Sequence, residues 1–203
     1  MYIPPAFKKT DLQDLHAFME RYNFATLVSQ YDGAAVASHL PVLVDRTKLP
    51  YGRISGHFAR ANPHYQHVKH GTDVLVIFMG PHSYVSPTWY SERIAVPTWN
   101  YAVVHAYGRL APTCESDLVD VLRRLVEKHE ARSDEPWGLD PFQPEFASML
   151  PEIAGFEISI TELQGKFKLS QNRSQRDREE VIGKLDQSGD TDKRALADLM
   201  KKT

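Results

Sequence analysis

The sequence predicts a mostly β protein of the α+β class, built as an antiparallel barrel with helices around it. Six or seven strand-like segments follow one another without the regular strand–helix alternation of a parallel α/β sheet. The longest, residues 97–110 (PTWNYAVVHAYGRL), has small apolar side chains at one set of alternate positions and large aromatic or polar-tipped ones at the other. The small face suits a filled barrel interior, and the aromatic face suits a partner subunit or a flat ligand.

The composition is that of an ordinary globular protein. The chain has 203 residues, of which 42% are hydrophobic and 25% charged, enough to bury a sizeable core. It has no apolar run near the roughly 20 residues that a membrane helix needs, and its start lacks a secretory signal pattern. A single cysteine, Cys114, excludes an internal disulfide and an all-cysteine metal site. We therefore expect a cytoplasmic protein that does not enter membranes.

The charge is close to balanced but unevenly distributed. The net charge is −2 and the pI about 6.5, so the whole chain has no general attraction for nucleic-acid phosphates. Residues 113–162 carry 12 acidic against 4 basic side chains, whereas residues 166–184 carry 6 basic against 3 acidic ones. Only the segment 166–184 could bind an anion, and it is too short to form a DNA-binding surface by itself.

Turn and capping signals divide the first half of the chain into elements. Thr10 and Gln13 form a capping box, Asp32-Gly33 is a hairpin turn, and Asn62-Pro63 is a helix start. The predicted elements are a helix over 10–21, strands over 24–30, 34–44 and 52–58, a helix over 63–70, a strand over 74–79, a loop over 80–82 and an extended segment over 83–90.

The second half begins with the long strand and ends in helices. Ser116 and Ser174 are placed to cap helices, and Gly189 breaks the last helical segment in two. The predicted elements are a strand over 97–111, helices over 116–132 and 145–150, a strand over 153–160, a basic loop over 165–174, and helices over 175–186 and 191–201. We expect one domain over residues 1–203, with residues 175–203 as its helical extension.

Common catalytic and nucleotide-binding motifs are absent from the sequence. It contains no GxGxxG, GxxxxGK[ST], HExxH, GxSxG or CxxC, and no helix-turn-helix with a basic second helix is evident. No general base is placed beside a nucleophile, so no catalytic constellation is predicted.

Nine histidines raise the question of a metal or haem site. His64, His67 and His70 recur every third residue, which turns the third side chain well away from the first on a helix, so a solvated helix face is the favoured interpretation. His39 and His57 lie in predicted strands and could meet across a sheet. For these two, a hydrogen-bonded core histidine and a ligand contact remain open alternatives.

The remaining candidate site residues form two possible anion-binding sites and a series of aromatic side chains. Arg60 stands beside the predicted helix start at Asn62, which could cradle a phosphate or be a surface arginine beside a capped helix. The loop at 168–173 offers Lys168, Gln171 and Arg173 but could equally be solvated. The aromatic series is more typical of a core or dimer interface than of a cofactor site, and its members are Tyr84, Trp89, Tyr90, Trp99 and Tyr101.

Several long blocks closely resemble the PaiB family in the same order, from residue 1 to about 185. They are MYIPPAF, SHLPVLVD, GHFARANP, IFMGPHSYVSPTWY, VPTWNYAVVHAYGRL and GFEISITELQGKFKLSQNRS. The resemblance implies an FMN-binding split β-barrel, related in fold to pyridoxamine-phosphate oxidase, that forms a homodimer with sites at the subunit interface. It also implies a negative transcriptional regulator.

The resemblance implies an FMN site as well, residue by residue. Ser38, His39 and Leu40 would lie along the flavin. The phosphate and ribityl chain would be surrounded by His57, Arg60, Ala61 and Asn62. Trp99 and Asn100 would approach from the dimer interface, and the closing loop would supply Lys168, Gln171 and Arg173.

Three functions follow as hypotheses. The first is a dimeric regulator that represses transcription, either through a basic surface made by residues 166–184 of the dimer or through another protein. The second is an FMN-dependent oxidoreductase acting on a small molecule, because flavin carries out redox chemistry without a protein acid or base. The third is haem or metal binding through His39, His57 or the histidines of 64–70.

Overall fold

A computed structural model describes residues 1–68, 71–91, 96–138, 140 and 143–203. The strands are β1 (Lys8–Lys9), β2 (Phe24–Tyr31), β3 (Ala34–Pro41), β4 (Leu43–Asp45), β5 (Arg53–Ala59), β6 (Asp73–Val85), β7 (Thr98–Pro112) and β8 (Ile153–Lys168). The α-helices are α1 (Leu12–Arg21), α2 (Tyr65–Val68), α3 (Glu115–Glu130), α4 (Pro144–Met149), α5 (Gln175–Asp186) and α6 (Thr191–Lys201). Short 3-10 helices cover Pro5–Phe7, Pro87–Trp89 and Leu150–Glu152.

The described chain forms two compact units. The barrel unit comprises Leu12–Phe78 and His105–Leu163, and the terminal unit comprises Met1–Asp11, Met79–Val104 and Gln164–Thr203. The strands run in the order β3-β2-β6-β7-β8-β5-β4, and β1 pairs with β8. The pairs whose registers are resolved are all antiparallel, as the sequence predicted.

The barrel unit closes around an aromatic core. Phe58 and Phe156 are fully buried with ring centroids 4.9 Å apart. A Cβ at Gly56 would lie 2.8 Å from the Phe156 ring and 3.3 Å from the Pro41 carbonyl, so only glycine lets β3 and β5 approach here. Because β3 begins the strand order and β5 lies near its other end, this approach curls the sheet into a barrel.

Helices cover parts of the barrel unit. Leu15, Phe18 and Met19 lie on the buried face of α1, whereas Leu12 at its start is exposed. On α3, Val121 and Leu125 pack with Leu43 of β4.

The terminal unit is built on the ends of three long strands and on two helices. Lys8 of β1 pairs with Lys166 of β8. In α5, the Ser174 side chain caps the start by accepting from the Asp177 backbone N–H at 3.2 Å, as predicted. The two helices have the predicted bounds and are separated at Gly189, whose φ is +73°.

The long strand β7 has the two faces that its sequence predicts. Its alternate residues Asn100, Ala102, Val104, Ala106, Gly108 and Leu110 are all buried. On the other face, Trp99 and Arg109 are exposed and Val103 is buried.

Strand lengths differ from the prediction at three places. The predicted loop over 80–82 is wrong, because β6 continues through it and its buried positions change from even to odd numbers at Gly80-Pro81. The strand predicted to end at 160 continues to Lys168, since β1 pairs with its end. The predicted strand over 34–44 divides at Val42, whose backbone N–H bonds the Asn23 carbonyl. Of the helix predicted over 63–70, Tyr65–Val68 is formed and residues 69–70 lie outside the described residues.

Candidate functional site

The exposed edge strand β3 carries the first group of predicted site residues. Ser38 is buried, His39 is exposed and Leu40 is half-buried. His39 Nδ1 lies 3.0 Å from Thr26 Oγ1 on the paired strand. Along the strand, the side chains of Ala34, Ala35 and Ala37 are exposed and small, so the backbone is open to a ligand or partner.

Ser38 belongs to a buried polar network in the barrel unit. Its Oγ lies 2.9 Å from His64 Nδ1 and accepts a 3.1 Å hydrogen bond from Asn62 Nδ2. The other ring nitrogen of His64 lies 2.8 Å from Ser29 Oγ on β2. Asn62 Oδ1 accepts the His64 backbone N–H at 3.0 Å, which is the capping role expected at a helix start. The network thus joins the β2–β3 hairpin to the segment after β5.

The solvated interpretation of His64 is wrong. Its side chain is only 1% exposed, because residues 59–64 turn it inward against Phe58, at a ring-centroid distance of 5.4 Å. The solvated interpretation assumed that His64 lies within a helix over 63–70, but α2 begins only at Tyr65. The side chain of His67 and all of His70 lie outside the described residues.

Arg60 is held in a fixed orientation at the end of β5. Its guanidinium donates to the carbonyls of Pro151 at 2.6 Å and Ile153 at 2.9 Å, and to the Tyr65 hydroxyl at 3.1 Å. These bonds use three of its five N–H groups, and the other two have no partner among the described residues and could bind an anion. Arg60 also lines a pocket of about 270 Å³, whose other residues include Thr113, Cys114 and Gly155. Ala61 beside it is exposed.

His57 lies on the same strand in a half-buried position opposite Gly155 of β8. Its Nδ1 atom is buried and has no hydrogen-bond partner among the described residues. Burial lowers the pKa of His57, because the charged imidazolium is poorly solvated there. Burial therefore favours the neutral imidazole, and the structure does not bring His57 into the network of His64.

The terminal unit carries an exposed aromatic patch made of His82, Tyr84 and Trp99. Trp99 is 53% exposed and lies 6.1 Å from Tyr84 and 6.2 Å from His82 between ring centroids. Large exposed aromatic groups of this kind are typical of surfaces that a flat ligand or a partner covers.

Asn100, next to Trp99, is directed inward instead. It is 1% exposed and its Nδ2 donates to Ser170 Oγ at 2.8 Å and to Met200 Sδ at 3.6 Å. Its Nδ2 therefore supports the terminal unit, and its buried Oδ1 has no hydrogen-bond partner among the described residues.

Two lysines on β8 lie among neutral groups. Lys168 Nζ donates to Thr98 Oγ1 and, at 2.9 Å, to the Trp99 carbonyl. Lys166 Nζ donates to the Tyr2 carbonyl at 3.0 Å and lies 5.3 Å from the Tyr101 ring centroid. Burial, and then the charges of Lys166 and Arg173, lower the pKa of Lys168. These cations concentrate positive charge beside the aromatic patch.

Gln171 and Arg173 belong to the turn that follows β8. Gln171 Oε1 accepts from the Leu169 backbone N–H at 2.7 Å, and its Nε2 donates to the Phe167 carbonyl at 2.6 Å. These bonds stabilise the turn at Ser170, whose φ is +62°. Arg173 lies over the Tyr90 ring, 4.6 Å from its centroid.

Metal and membrane sites are not apparent in the described part of the chain. No cluster of three or more histidine, cysteine, aspartate or glutamate side chains there could hold a metal ion. No helix among the described residues is long and apolar enough to span a bilayer.

Comparison with known proteins identifies the family. Residues 1–162 match a family model described as "Putative FMN-binding domain". The protease synthase and sporulation protein PAI 2 of Bacillus subtilis (strain 168) is 38% identical over 201 residues, covering 98% of this chain and 96% of that protein. The chain belongs to the PaiB family. The resemblance seen in the sequence is thereby confirmed.

Solved structures confirm the split β-barrel fold of this PaiB-family chain. The FAD and haem binding protein from Mycobacterium smegmatis superposes with a TM-score of 0.60 at 14% identity, covering 79% of this chain and 73% of that one. The flavocytochrome Anf3 from Azotobacter vinelandii superposes with a TM-score of 0.58 at 16% identity, covering 79% of this chain and 69% of that one. At these identities the likeness concerns the fold alone.

The residues of the barrel unit fit an FMN group. Arg60 has two N–H groups left for a phosphate and is already oriented by three bonds. The exposed imidazole of His39 offers a polar contact along an open strand, next to the buried Ser38 hydroxyl that bonds His64 and Asn62. FMN is therefore the cofactor expected of this PaiB-family protein.

Proposed function

We propose that this protein is an FMN-binding homodimer that acts in the negative regulation of transcription. The buried network of Ser38, Asn62 and His64 supports the FMN-binding part of this proposal, because it fixes polar side chains beside an exposed strand edge. In the proposal, Ser38, His39 and Leu40 lie along the flavin, and Arg60, Ala61 and Asn62 hold its phosphate. All residues form one split-barrel domain, with 175–203 as a helical extension.

Each residue has a separate role in holding the cofactor. Arg60 binds the phosphate with the N–H groups that the Pro151 and Ile153 carbonyls leave free. His57 contributes a neutral imidazole, since burial keeps its pKa low. When bound, FMN supplies a redox-active, coloured ring system.

The aromatic patch favours a homodimer in which Trp99 is covered. Tryptophan is enriched at the centres of protein interfaces, and an exposed cluster of His82, Tyr84 and Trp99 is otherwise unfavourable in water. Lys168, Gln171 and Arg173 complete this surface in the proposal, and Asn100 acts beneath it by holding Ser170.

We propose that regulation proceeds through another protein rather than by direct reading of DNA. Two of the six basic side chains in segment 166–184 are engaged within the protein, because Lys166 is buried and Lys168 bonds Thr98 and the Trp99 carbonyl. The B. subtilis relative is named for protease synthesis and sporulation, which supports a regulatory role. A gel-shift titration is expected to show no specific complex with DNA, and a salt-sensitive specific complex would contradict this route.

FMN titration tests the cofactor site. Quenching of flavin fluorescence is expected to saturate with wild-type protein. Arg60→Ala is expected to weaken binding at least tenfold, about 1.4 kcal/mol, by removing the phosphate contact. Arg46→Ala, which removes an exposed ion pair with Glu20, is the matched control and leaves binding unchanged. No saturation with millimolar FMN would refute the proposal.

A second candidate is an FMN-dependent oxidoreductase acting on a small molecule. The exposed rings of Tyr84 and Trp99 favour it, because a planar substrate could stack on them. Loss of the visible flavin absorbance on anaerobic addition of NADH or NADPH would support this candidate, and an unchanged spectrum would remove it for these two reductants.

A further inference from the structure

The segment that follows α3 in the barrel unit carries an exposed apolar cluster. Trp137 is 50% exposed and lies 5.4 Å from Phe146 between ring centroids. Phe146 and Met149 are three residues apart in α4, a spacing that makes their side chains neighbours on a helix, and Met149 is 62% exposed. We call these three side chains the 137–149 patch. Their residue types are those enriched at the centres of protein interfaces.

Carboxylates accompany this patch. Residues 130–150 contain five acidic side chains and one basic one, a net charge of −4. Glu130 Oε2 accepts the Trp137 backbone N–H at 3.0 Å, which places one carboxylate beside the patch. Glu145 directly precedes Phe146 in the first turn of α4. The exposed acidic side chains of the segment are Asp134, Glu135, Asp140 and Glu145.

Several of these carboxylates are available to a partner. Those of Asp134, Glu135 and Glu145 form no ion pair with a basic side chain among the described residues. An apolar centre with a charged, solvated rim is the arrangement typical of a protein interface. The segment therefore has both the anchor side chains and the free charges that a docking surface needs.

The sign of the charge selects the class of partner. Carboxylates repel the phosphates of nucleic acids and the headgroups of anionic lipids, whereas they attract lysine and arginine side chains. An ammonium or guanidinium group can also lie over the exposed indole of Trp137. Charge complementarity thus favours a basic protein segment over a nucleic acid or an anionic membrane.

We propose that the 137–149 patch docks a basic segment of another protein. The partner places an apolar side chain against Trp137 and Phe146, and its lysine or arginine side chains face the carboxylates. This inference rests on the proposed regulation through another protein, and it names the surface used and the charge of the partner. It involves other residues than the proposed homodimer surface around Trp99.

Titration with a synthetic peptide tests the surface. The probe is an amphipathic helical peptide with leucine on one face and lysine on the other. In isothermal titration calorimetry we expect saturable binding that weakens several-fold when salt is raised from about 0.05 M to about 0.3 M. The same peptide with glutamate in place of lysine should not bind. Equal binding of the two peptides, or no saturation with the lysine peptide, would overturn the proposal.

Variants of the apolar side chains locate the binding surface. Trp137→Ala is expected to weaken binding of the lysine peptide at least tenfold. Met149→Ser should weaken it several-fold without removing the ring contact of Trp137 with Phe146. Tyr31→Ala, which removes an exposed aromatic side chain elsewhere on the barrel unit, is the matched control and leaves binding unchanged. Binding that tolerates both patch variants would overturn the assignment.

A charge variant tests the rim. Glu145→Gln is expected to weaken binding of the lysine peptide and to reduce its salt dependence, because one attractive charge is lost. Glu180→Gln, at an exposed position on α5, is the control and should change neither. Equal effects of the two variants would contradict a specific acidic rim.

Two further measurements separate the ways of failing. In sedimentation velocity, Trp137→Ala should leave the proposed homodimer unchanged, and a weaker dimer would assign the patch to a second copy of this chain instead. A specific complex in the DNA gel shift would contradict regulation through another protein, and with it the role of the patch, even if the peptide binds. Failure of the lysine peptide to bind would overturn the patch alone.

Discussion

The Asn100 side chain donates a 2.8 Å hydrogen bond to Ser170 Oγ, although 70 residues separate the two along the chain. The bond joins β7 to the turn after β8, where Ser170 has a positive φ. It explains why an asparagine occupies a buried position on a strand face that is otherwise small and apolar. The neighbouring Trp99 faces outward, so the two residues allow stability and binding to be tested separately.

Asn100→Ala is expected to lower the free energy of unfolding by about 1–3 kcal/mol. The substitution removes the partner of the buried Ser170 hydroxyl and leaves a small void. Urea denaturation followed by circular dichroism measures the change. Tyr31→Ala, at an exposed position outside the aromatic patch, is the control and should change stability by no more than about 0.5 kcal/mol. Equal losses in the two variants would contradict the assignment.

Trp99→Ala is expected to weaken the proposed homodimer at least tenfold. A tryptophan at the centre of an interface commonly contributes about 2 kcal/mol or more to binding. Sedimentation velocity over a range of concentrations gives the dimer dissociation constant. Tyr31→Ala removes another exposed aromatic side chain, on the barrel unit, and should leave it unchanged. A dimer that tolerates the loss of Trp99 would place the interface elsewhere.

Gly108→Ala and Gly183→Ala are expected to act in opposite directions. A Cβ at Gly108 would collide with the Ser159 carbonyl of the paired strand, and we expect a loss of about 1–3 kcal/mol in unfolding free energy. At Gly183, inside α5, a Cβ meets nothing within 4 Å, so alanine should stabilise by about 0.5–1 kcal/mol. Thermal and urea unfolding would measure both, and a harmless Gly108→Ala would contradict the close packing of β7 on β8.

Because of His57, the free energy of unfolding is expected to decrease as the pH is lowered from 7 to 5. Burial lowers its pKa in the folded protein, so the unfolded chain takes up a proton at higher pH than the folded one does. The loss begins near the ordinary histidine pKa of about 6.5 and ends below the folded value. His57→Gln should flatten this dependence in urea titrations at several pH values. His39→Gln, at an exposed position, is the control. A dependence unchanged by His57→Gln would refute the role of burial.

The sequence by itself predicted the elements whose signals are local. The bounds of α5 and α6, the cap at Ser174 and the turn at Asp32-Gly33 follow from short patterns of capping and turn residues. The alternation in residues 97–110 likewise predicted the buried and exposed faces of β7. The family blocks predicted the split barrel, because long ordered matches carry information that composition lacks.

Only the tertiary structure decided which polar residues hydrogen-bond to one another. The inward position of His64 depends on Ser29 and Ser38, which are 35 and 26 residues away, so helical spacing gave the wrong environment. The extension of β8 to Lys168 depends on pairing with β1, and the fixed orientation of Arg60 depends on carbonyls of Pro151 and Ile153. Hydrogen bonds between remote segments have no local pattern. The resemblance to the PaiB family therefore indicated a flavin-binding barrel, whereas long-range contacts determined which atoms remain available to bind.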